Sequence, residues 1–328
     1  MRWLRRKQCI GPTIIVLMLL LPSFMTSPQY LHLLCTAFIR LVLVLGMCSM
    51  WSLGYLNAAQ PAFFGIGAYT SALLMLRAGF PFWFTLPISG IVSALVAAII
   101  GYPGLRVRGA YFMILGIAFN ELVKWIFVAL KGVFGGASGL TNIPQPDTIR
   151  IFGLTIDFNT SLVPYYYLTL LLCLITVFVY FRIHWSRLGR VWSTTRQNEE
   201  LLATTGVSVF LQKEISLVTC CFFAGMAGAV YASFLTAISP EMFTFVEGMY
   251  WFLAVLLGGV GTPVGPIIGV GFVTTLDQLL RRFREFEPLI WGTILILVIL
   301  FMPKGLVSLP GMVVKRIKRK TLAHEAEG

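Results

Sequence analysis

The chain has 328 residues, of which 58% are hydrophobic and only 12% are charged. Ordinary soluble domains are about 45–50% apolar and about 25% charged, so this composition excludes a soluble enzyme and a disordered chain. Runs without Asp, Glu, Lys or Arg, such as 8–39, 41–76 and 78–105, are long enough for one or two bilayer-spanning helices of about 20 residues. These runs are apolar on both faces, whereas membrane-barrel strands alternate apolar and polar residues. The sequence therefore predicts an all-α, polytopic transmembrane helical bundle.

About ten spans are expected from these runs. They cover 10–26, 31–53, 61–78, 83–101, 109–130, 163–182, 215–235, 248–260, 264–280 and 288–303. The first follows the basic residues of 1–9 and is similar to a signal peptide, but no small-residue cleavage site follows it, so we expect it to be retained. Most of the 25 Lys and Arg residues then fall on the side of the N-terminus, which predicts cytoplasmic N- and C-termini. Residues 1–9 and 304–328 are accordingly predicted to be basic cytoplasmic ends.

One cluster of basic residues depends on how the chain crosses the membrane near its C-terminal end. The basic residues Arg281, Arg282 and Arg284 fall outside the membrane on the non-cytoplasmic side if 248–260 crosses completely. They move to the cytoplasmic side if 248–260 is only a re-entrant half-helix. Both threadings are open from the sequence.

The net charge of +12 comes from basic residues at the ends of spans, not from a stripe beside aromatic side chains, so no nucleic-acid partner is predicted. The six cysteines lie within apolar runs and are interpreted as buried hydrophobic residues. The three histidines are scattered, without the spacing of a zinc site. We therefore predict no catalytic residues, no metal and no cofactor in this chain.

Two hydrophilic stretches are too long for tight turns: 131–162, predicted outside the membrane, and 183–214, predicted in the cytoplasm. In the second, a short helix is expected over 196–203, capped by Thr194 or Thr195 and ended by Gly206. Such a helix, flanked by spans, has the shape needed to dock into a groove of a partner protein. A solvated loop with an incidental helix explains the same pattern equally well.

The sequence from Arg196 to Val207 resembles the coupling loop of LivM-type permease subunits of high-affinity branched-chain amino acid ABC importers. The resemblance covers roughly 35–310 and includes Ala62–Thr70, Leu105–Phe112, Ala118–Glu121, Gly135–Leu140, Ser239–Phe243, Leu257–Pro266 and Pro303–Leu306. Residues 10–303 would then form the transmembrane domain, with 131–162 as a periplasmic loop and 183–214 as the cytoplasmic coupling loop. The family's usual G-Q-x-S-x-G segment is here Gly54 to Ala59, with Tyr55 and Asn57 at the changed polar positions.

The resemblance implies four kinds of partner besides membrane lipid. They are a second homologous permease subunit, two cytoplasmic ATP-binding subunits and a periplasmic solute-binding protein. The chain has no phosphate-binding loop motif, so ATP hydrolysis is expected on separate chains. The residues that the resemblance assigns to the ATPase contact are Arg196, Glu199, Glu200 and Gly206.

Candidate pathway residues are aromatic, charged or conformationally permissive residues within the spans: Phe63, Phe64, Tyr69, Glu121, Gly258 and Gly259. Glu121 and Lys124 are spaced to share a helix face as an ion pair, which would either serve the pathway or brace two helices. Arg40 and Asp277 lie closer to predicted span ends, where long basic side chains reach the headgroups. A pathway role is the alternative for Asp277. Phe63, Phe64 and Tyr69 are equally well explained as packing or lipid-facing residues.

Gly261, Gly265 and Gly269 recur every fourth residue and predict a close helix–helix contact. Pro263 and Pro266 interrupt the same region, and interrupted spans often mark transport sites. Close packing alone would also account for both features.

The sequence therefore predicts an inner-membrane permease subunit of a binding-protein-dependent ABC importer for branched-chain amino acids, working by alternating access. The alternatives are a permease of the same family for urea, short amides or another amino acid, and a channel or carrier without ATPases. The last alternative predicts more paired charges within the membrane and no docking loop.

Overall fold

The computed structural model describes residues 18–19, 21–22, 27–107, 109–151, 154–156, 158, 161–259, 264–280 and 287–301. Its helices are α1 (Pro28–Ser52), α2 (Gln60–Ala78), α3 (Phe82–Gly104), α4 (Ala110–Ala129), α5 (Lys131–Phe134), α6 (Val163–His184), α7 (Arg187–Gln197), α8 (Glu199–Ala203), α9 (Val209–Leu235), α10 (Phe245–Gly258), α11 (Gly265–Leu280) and α12 (Glu287–Phe301). Short 3₁₀ turns cover Gly136–Ser138 and Pro240–Phe243. The prediction of a helical bundle is confirmed.

One small element departs from an all-α fold. Strands β1 (Ile149–Ile151) and β2 (Leu154–Ile156) form an antiparallel hairpin within the 131–162 loop. The sequence analysis missed it because its alternating pattern extends over only a few residues.

Among the described residues, six segments are long and apolar enough to cross a membrane. They are α1, α3, α4, α6, α9 and Pro240–Gly258, which joins the 3₁₀ turn to α10. Helix α11 is apolar but shorter. Most of the predicted span 10–26 lies outside the described residues. So do the basic ends 1–9 and 304–328 and the cluster Arg281–Arg284. The count of ten spans stays a prediction.

Helix α9 is the centre of the bundle and packs against α1, α2 and α3. Small residues allow this close approach. A Cβ added to Gly67 of α2 would lie 2.3 Å from the Cα of Gly225 in α9. A Cβ added to Gly225 would in turn lie 2.4 Å from the hydroxyl of Ser93 in α3. These three helices therefore meet backbone to backbone at one level.

The bundle has two distinct ends. Helices α7 and α8 follow the C-terminus of α6 and precede α9, and they define the α7–α8 end. At the opposite end, Leu140 and Ile238 exchange backbone hydrogen bonds of 2.9 Å, and the Ile143 amide donates to Thr236 O. The 131–162 loop is thus attached to the segment that follows α9.

Candidate functional site

The predicted single helix over 196–203 is in fact two helices. α7 ends at Gln197, and α8 begins at Glu199 after Asn198, whose side chain accepts a 3.0 Å hydrogen bond from the Leu201 amide. Asn198 is therefore the cap, not Thr194 or Thr195. Those two hydroxyls donate to carbonyls one turn earlier within α7. The sequence analysis missed the break because it took Asn198 as an interior helix residue.

A buried ion pair fastens α8 to the bundle. The Lys213 ammonium in α9 lies 2.6 Å from the Glu199 carboxylate and donates a 2.7 Å hydrogen bond to the Tyr55 hydroxyl. The Tyr55 hydroxyl also lies 3.2 Å from the other carboxylate oxygen of Glu199. The Lys213 side chain is 3% exposed, whereas that of Glu199 is 27% exposed. The three residues join α8, α9 and the α1–α2 connection, and we call them the docking cluster.

Arg196 adds a second set of contacts, with the C-terminal end of α1 and with the α1–α2 connection. Its guanidinium lies 5.5 Å from the ring centroid of Trp51, within the range of a cation–π contact. Its side chain also covers Gly54, where a Cβ would lie 3.3 Å from Arg196 Cγ. Arg196 and Glu199, both predicted to face a partner, thus also hold the segment in place.

The outer surface of α8 is exposed. Leu202 is buried against the bundle, but the preceding Leu201 is 62% exposed and Glu200 is also exposed. Gly206 adopts a left-handed conformation with a φ of 79°, and no atom lies within 4 Å of where its Cβ would be. Gly206 therefore reverses the chain before α9. The segment presents a leucine and a carboxylate at the surface of a fixed helix.

Lys213 and Tyr55 are residues of the candidate site that sequence reasoning missed. Lys213 was considered only among the basic residues that orient the chain in the membrane. Tyr55 was noted only as a departure from the family's usual segment. The available signal was the position of a lysine at the start of an apolar helix, where it would need a nearby acid.

A second feature is a cavity of about 640 Å³ within the bundle. Helices α1, α2, α9, α10 and α11 and the 3₁₀ turn before α10 contribute to its walls. Its polar and charged lining residues are His32, Thr36, Arg40, Tyr231, Glu247 and Asp277; the apolar ones include Leu43, Phe64 and Trp251. Such a mixture of an apolar wall and a few polar groups is typical of small-molecule sites.

Arg40 lies farther from a helix end than predicted, whereas Asp277 lies three residues before the end of α11, as expected. Arg40 lies at the midpoint of α1, and its guanidinium is 2.8 Å from the Asp277 carboxylate of α11. The side chains are 17% and 20% exposed. The sequence analysis missed the pair because the two residues are distant in the chain.

The candidate pathway aromatics divide between cavity wall and core. Phe64 lines the cavity, and its ring packs 5.6 Å from that of Trp251. Phe63 is buried and packs 5.3 Å from the ring of Phe119, away from the cavity. Tyr69 is buried, and the centroid of its ring lies 4.2 Å from that of the Phe127 ring. The structure therefore places one of these three aromatic residues at the cavity.

The predicted pair of Glu121 with Lys124 is replaced by another. Lys124 lies 3.1 Å from the carboxylate of Glu241, in the 3₁₀ turn before α10. Glu121 is half-buried on α4 and does not line the 640 Å³ cavity. The long-range partner prevails because the 3₁₀ turn packs against α4.

The glycines in the C-terminal third of the chain lie mainly at the contact between α10 and α11. A Cβ on Gly258 would lie 2.0 Å from the Gly265 carbonyl, and one on Gly269 would lie 1.9 Å from the Ala254 carbonyl. Gly258, a candidate pathway residue, is thus at the α10–α11 contact. Gly259 lines a separate cavity of about 410 Å³ at the α7–α8 end, beside Trp51 and Arg196. Gly261 lies outside the described residues.

Asn57, at a changed position of the family segment, belongs to a buried polar network. Its amide donates a 2.9 Å hydrogen bond to Gln60, whose own amide donates to Leu43 O at 3.3 Å. The Cys220 thiol of α9 lies 2.7 Å from the same Gln60 oxygen. This network braces α1, α2 and α9. Across the described ranges, no group of three or more His, Cys, Asp or Glu residues could hold a metal ion.

Comparison with known proteins gives a consistent result. Residues 29–303 match the family described as "Branched-chain amino acid transport system / permease component". The high-affinity branched-chain amino acid transport system permease protein LivM of Escherichia coli K12 is 31% identical over 304 residues, which cover 87% of this chain and 72% of that protein. The LivH permease protein of the same organism is 24% identical over 275 residues, covering 79% of this chain and 87% of LivH.

A probable LivM protein of the archaeon Methanocaldococcus jannaschii is 22% identical over 250 residues, covering 72% of this chain and 70% of that protein. No solved structure is significantly similar to the chain. The family match covers most of the chain, and the fold is a bundle of apolar helices of membrane-spanning length. The chain therefore belongs to the permease components of branched-chain amino acid transport systems and is a multi-pass inner-membrane protein.

Proposed function

We propose that the chain is one of two homologous permease subunits of a binding-protein-dependent ABC importer, and that it translocates branched-chain amino acids. ATP is hydrolysed by two separate cytoplasmic subunits that dock on the α7–α8 segment. The observation that carries this proposal is the fixed α8 helix, whose inner side is fastened by the docking cluster while Leu201 and Glu200 are exposed.

The docking cluster makes α8 suitable for passing on the movement of a partner. A loop that is not attached to the bundle would absorb a push by bending. Here Glu199 is bound to Lys213 of the central helix α9, so a displacement of α8 reaches the bundle through a charged contact. Exposed Leu201 offers the apolar anchor that a groove on an ATP-binding subunit would bury.

The opposite end of the bundle provides a surface for the solute-binding protein. The two segments expected to receive it, 131–162 and 236–247, are attached to each other through Leu140 and Ile238. A binding protein that docks there would contact one connected surface. The proposal assigns the α7–α8 end to the cytoplasm and the opposite end to the periplasm, and the basic bias of the sequence supports this orientation.

The similarity to both LivM and LivH proteins supports a pair of homologous permease subunits, because those relatives are themselves named as permease proteins of one kind of transport system. Alternating access then requires two states of the pair that bind the substrate differently. The 640 Å³ cavity, with its charged and apolar walls, is the place in this chain where such a difference would arise.

Leu201→Asp tests the coupling role directly. We expect the variant to enter the membrane normally but to lose co-purification of the ATP-binding subunits and uptake, because an aspartate at this position removes the apolar anchor. Leu211→Asp is the matched control, since Leu211 is also exposed but belongs to the first turn of α9, before the predicted span 215–235. Normal uptake by Leu201→Asp would refute the coupling role.

Calorimetric titration of the cognate solute-binding protein tests the substrate. We expect tight binding of leucine, isoleucine and valine. Tight binding of urea without a response to amino acids would refute the proposed substrate and favour a urea permease of the same family.

A further inference from the structure

The 640 Å³ cavity holds charges of both signs beside an apolar wall. Arg40 of α1 and Asp277 of α11 line it as an ion pair, and Glu247 of α10 also lines it. Phe64, Trp251 and Leu43 form apolar parts of the lining. We propose that the Arg40–Asp277 pair is an intramembrane site for a zwitterionic α-amino acid, which separates the pair and binds its carboxylate to Arg40 and its ammonium group to Asp277. This inference rests on the proposed function.

The position of the pair calls for a specific role. An arginine at the centre of a membrane helix is unfavourable by about 2.5–3.5 kcal/mol on insertion scales, and such residues are usually functional. Arg40 lies at the midpoint of α1. The pair compensates each charge, but the two side chains remain partly exposed, and both line the cavity.

The guanidinium of Arg40 also has unused hydrogen-bonding capacity. Its Nη1 is 2.8 Å from the Asp277 carboxylate, yet the atom is buried and has no acceptor in hydrogen-bond geometry among the described residues. A guanidinium carries five N–H donors in a planar fork that fits a carboxylate in two parallel bonds. A substrate carboxylate in the cavity would supply the missing acceptor.

The charges of an α-amino acid match this arrangement. Its carboxylate and ammonium groups are joined to the same carbon, so they are separated by little more than the distance between Arg40 and Asp277. Insertion of the zwitterion replaces one ion pair by two, and the net charge of the cavity is unchanged. No proton needs to be taken up or released.

The wall of the cavity favours an aliphatic side chain. The ring of Phe64 packs 5.2 Å from that of Tyr231 and 5.6 Å from that of Trp251, which together form a continuous aromatic surface. An aliphatic chain gains apolar burial against such a surface, whereas a polar one loses its hydration. The site therefore recognises the two charges by the ion pair and the side chain by the aromatic wall.

Exchanging Arg40 and Asp277 with each other distinguishes a substrate site from an ion pair that only stabilises helix packing. Uptake of leucine is measured with the complete transporter in liposomes, driven by saturating loaded binding protein. Arg40→Ala and Asp277→Ala are each expected to reduce uptake by about 10- to 100-fold, as for the loss of a charged contact. The double variant Arg40→Asp, Asp277→Arg restores the ion pair but reverses its direction, so it should reach the membrane in normal amounts and still fail to transport.

Near-normal uptake by the exchanged variant would overturn the proposal, because it would show that the pair only braces α1 against α11. Absence of leucine uptake by the unmodified transporter is a different result, which would refute the proposed function itself. These two failures are therefore distinguishable.

A second measurement leaves both charges in place and decides the matter if the exchanged variant does not reach the membrane. Thr36 lines the cavity one turn before Arg40, and the cysteines in the described part of the chain are buried. Thr36→Cys is labelled with a polar thiol reagent in the assembled permease without binding protein. Leucine should slow labelling several-fold more than 4-methylpentanoate, which lacks the ammonium group, or isoamylamine, which lacks the carboxylate. Equal protection by all three compounds, or no protection by leucine up to its solubility, would overturn the proposal.

Discussion

Removal of the Glu199 charge should release α8 from the bundle. In Glu199→Gln, the 3% exposed Lys213 side chain keeps only neutral acceptors for its ammonium, namely the Tyr55 hydroxyl 2.7 Å away and the amide oxygen of the new glutamine. In Lys213→Met, by contrast, the remaining Glu199 carboxylate is 27% exposed and still lies 3.2 Å from the Tyr55 hydroxyl. The first variant therefore leaves a buried charge poorly compensated, whereas the second leaves a charge that water reaches.

The magnitude follows from this asymmetry. Removal of one partner of a fully buried ion pair costs about 3–5 kcal/mol. Because water reaches part of Glu199, we take about 2 kcal/mol for Glu199→Gln, which is a roughly 30-fold shift between docked and undocked α8. For Lys213→Met we expect about 1 kcal/mol, the contribution of an ordinary hydrogen bond. The double variant should be milder than Glu199→Gln alone, because it leaves no buried charge.

Amide hydrogen exchange over α8, measured in the assembled transporter, reports the docked fraction. Faster exchange should be confined to this segment in Glu199→Gln, together with ATP hydrolysis that no longer matches uptake. Asp147→Asn is the control, since it removes an exposed carboxylate of the 131–162 loop and should leave the exchange of α8 unchanged. Equal exchange in Glu199→Gln and the unmodified protein, or a larger effect of Lys213→Met, would refute the reasoning.

Two further predictions concern packing and capping. Gly67→Ala should destabilise the protein by about 1–3 kcal/mol through overpacking and lower its membrane yield, because the added Cβ would collide with Gly225. Gly271→Ala is the control: no atom lies within 4 Å of its added Cβ, so its melting curve should match that of the unmodified protein. Asn198→Ala should weaken α8 by about 1 kcal/mol because the Leu201 amide loses its acceptor, and Asn198→Asp should restore it. Unchanged exchange at the Leu201 amide in Asn198→Ala would contradict the assigned cap.

The sequence predicted those features that depend on local composition. Apolar runs of membrane length give the helical bundle because each helix satisfies its own backbone in lipid. Gly265 and Gly269 lie at a close helix contact because their spacing puts them on one face. The motifs in chain order indicated the family that the comparisons show.

The partners of charged residues could not be predicted in the same way. Lys124 has an acid three residues away on its own helix, yet it pairs with Glu241 because a 3₁₀ turn packs there. Arg40 and Asp277, and Glu199 and Lys213, likewise meet only through tertiary packing. The spacing of residues within one helix carries no information on which other helix lies beside it.

The glycine contacts join five helices into two groups. Helices α2, α3 and α9 are locked together at Gly67 and Gly225, and α10 and α11 are locked at Gly258 and Gly265. Helices in backbone contact cannot slide without collision, so each group moves as a block. Helix α1 packs against both α9 and α11, so a change in cavity width requires its contacts with one of the two groups to rearrange. Lys213, which binds α8, belongs to the first group, and Asp277 belongs to the second. A displacement of α8 would therefore move one wall of the cavity relative to the other.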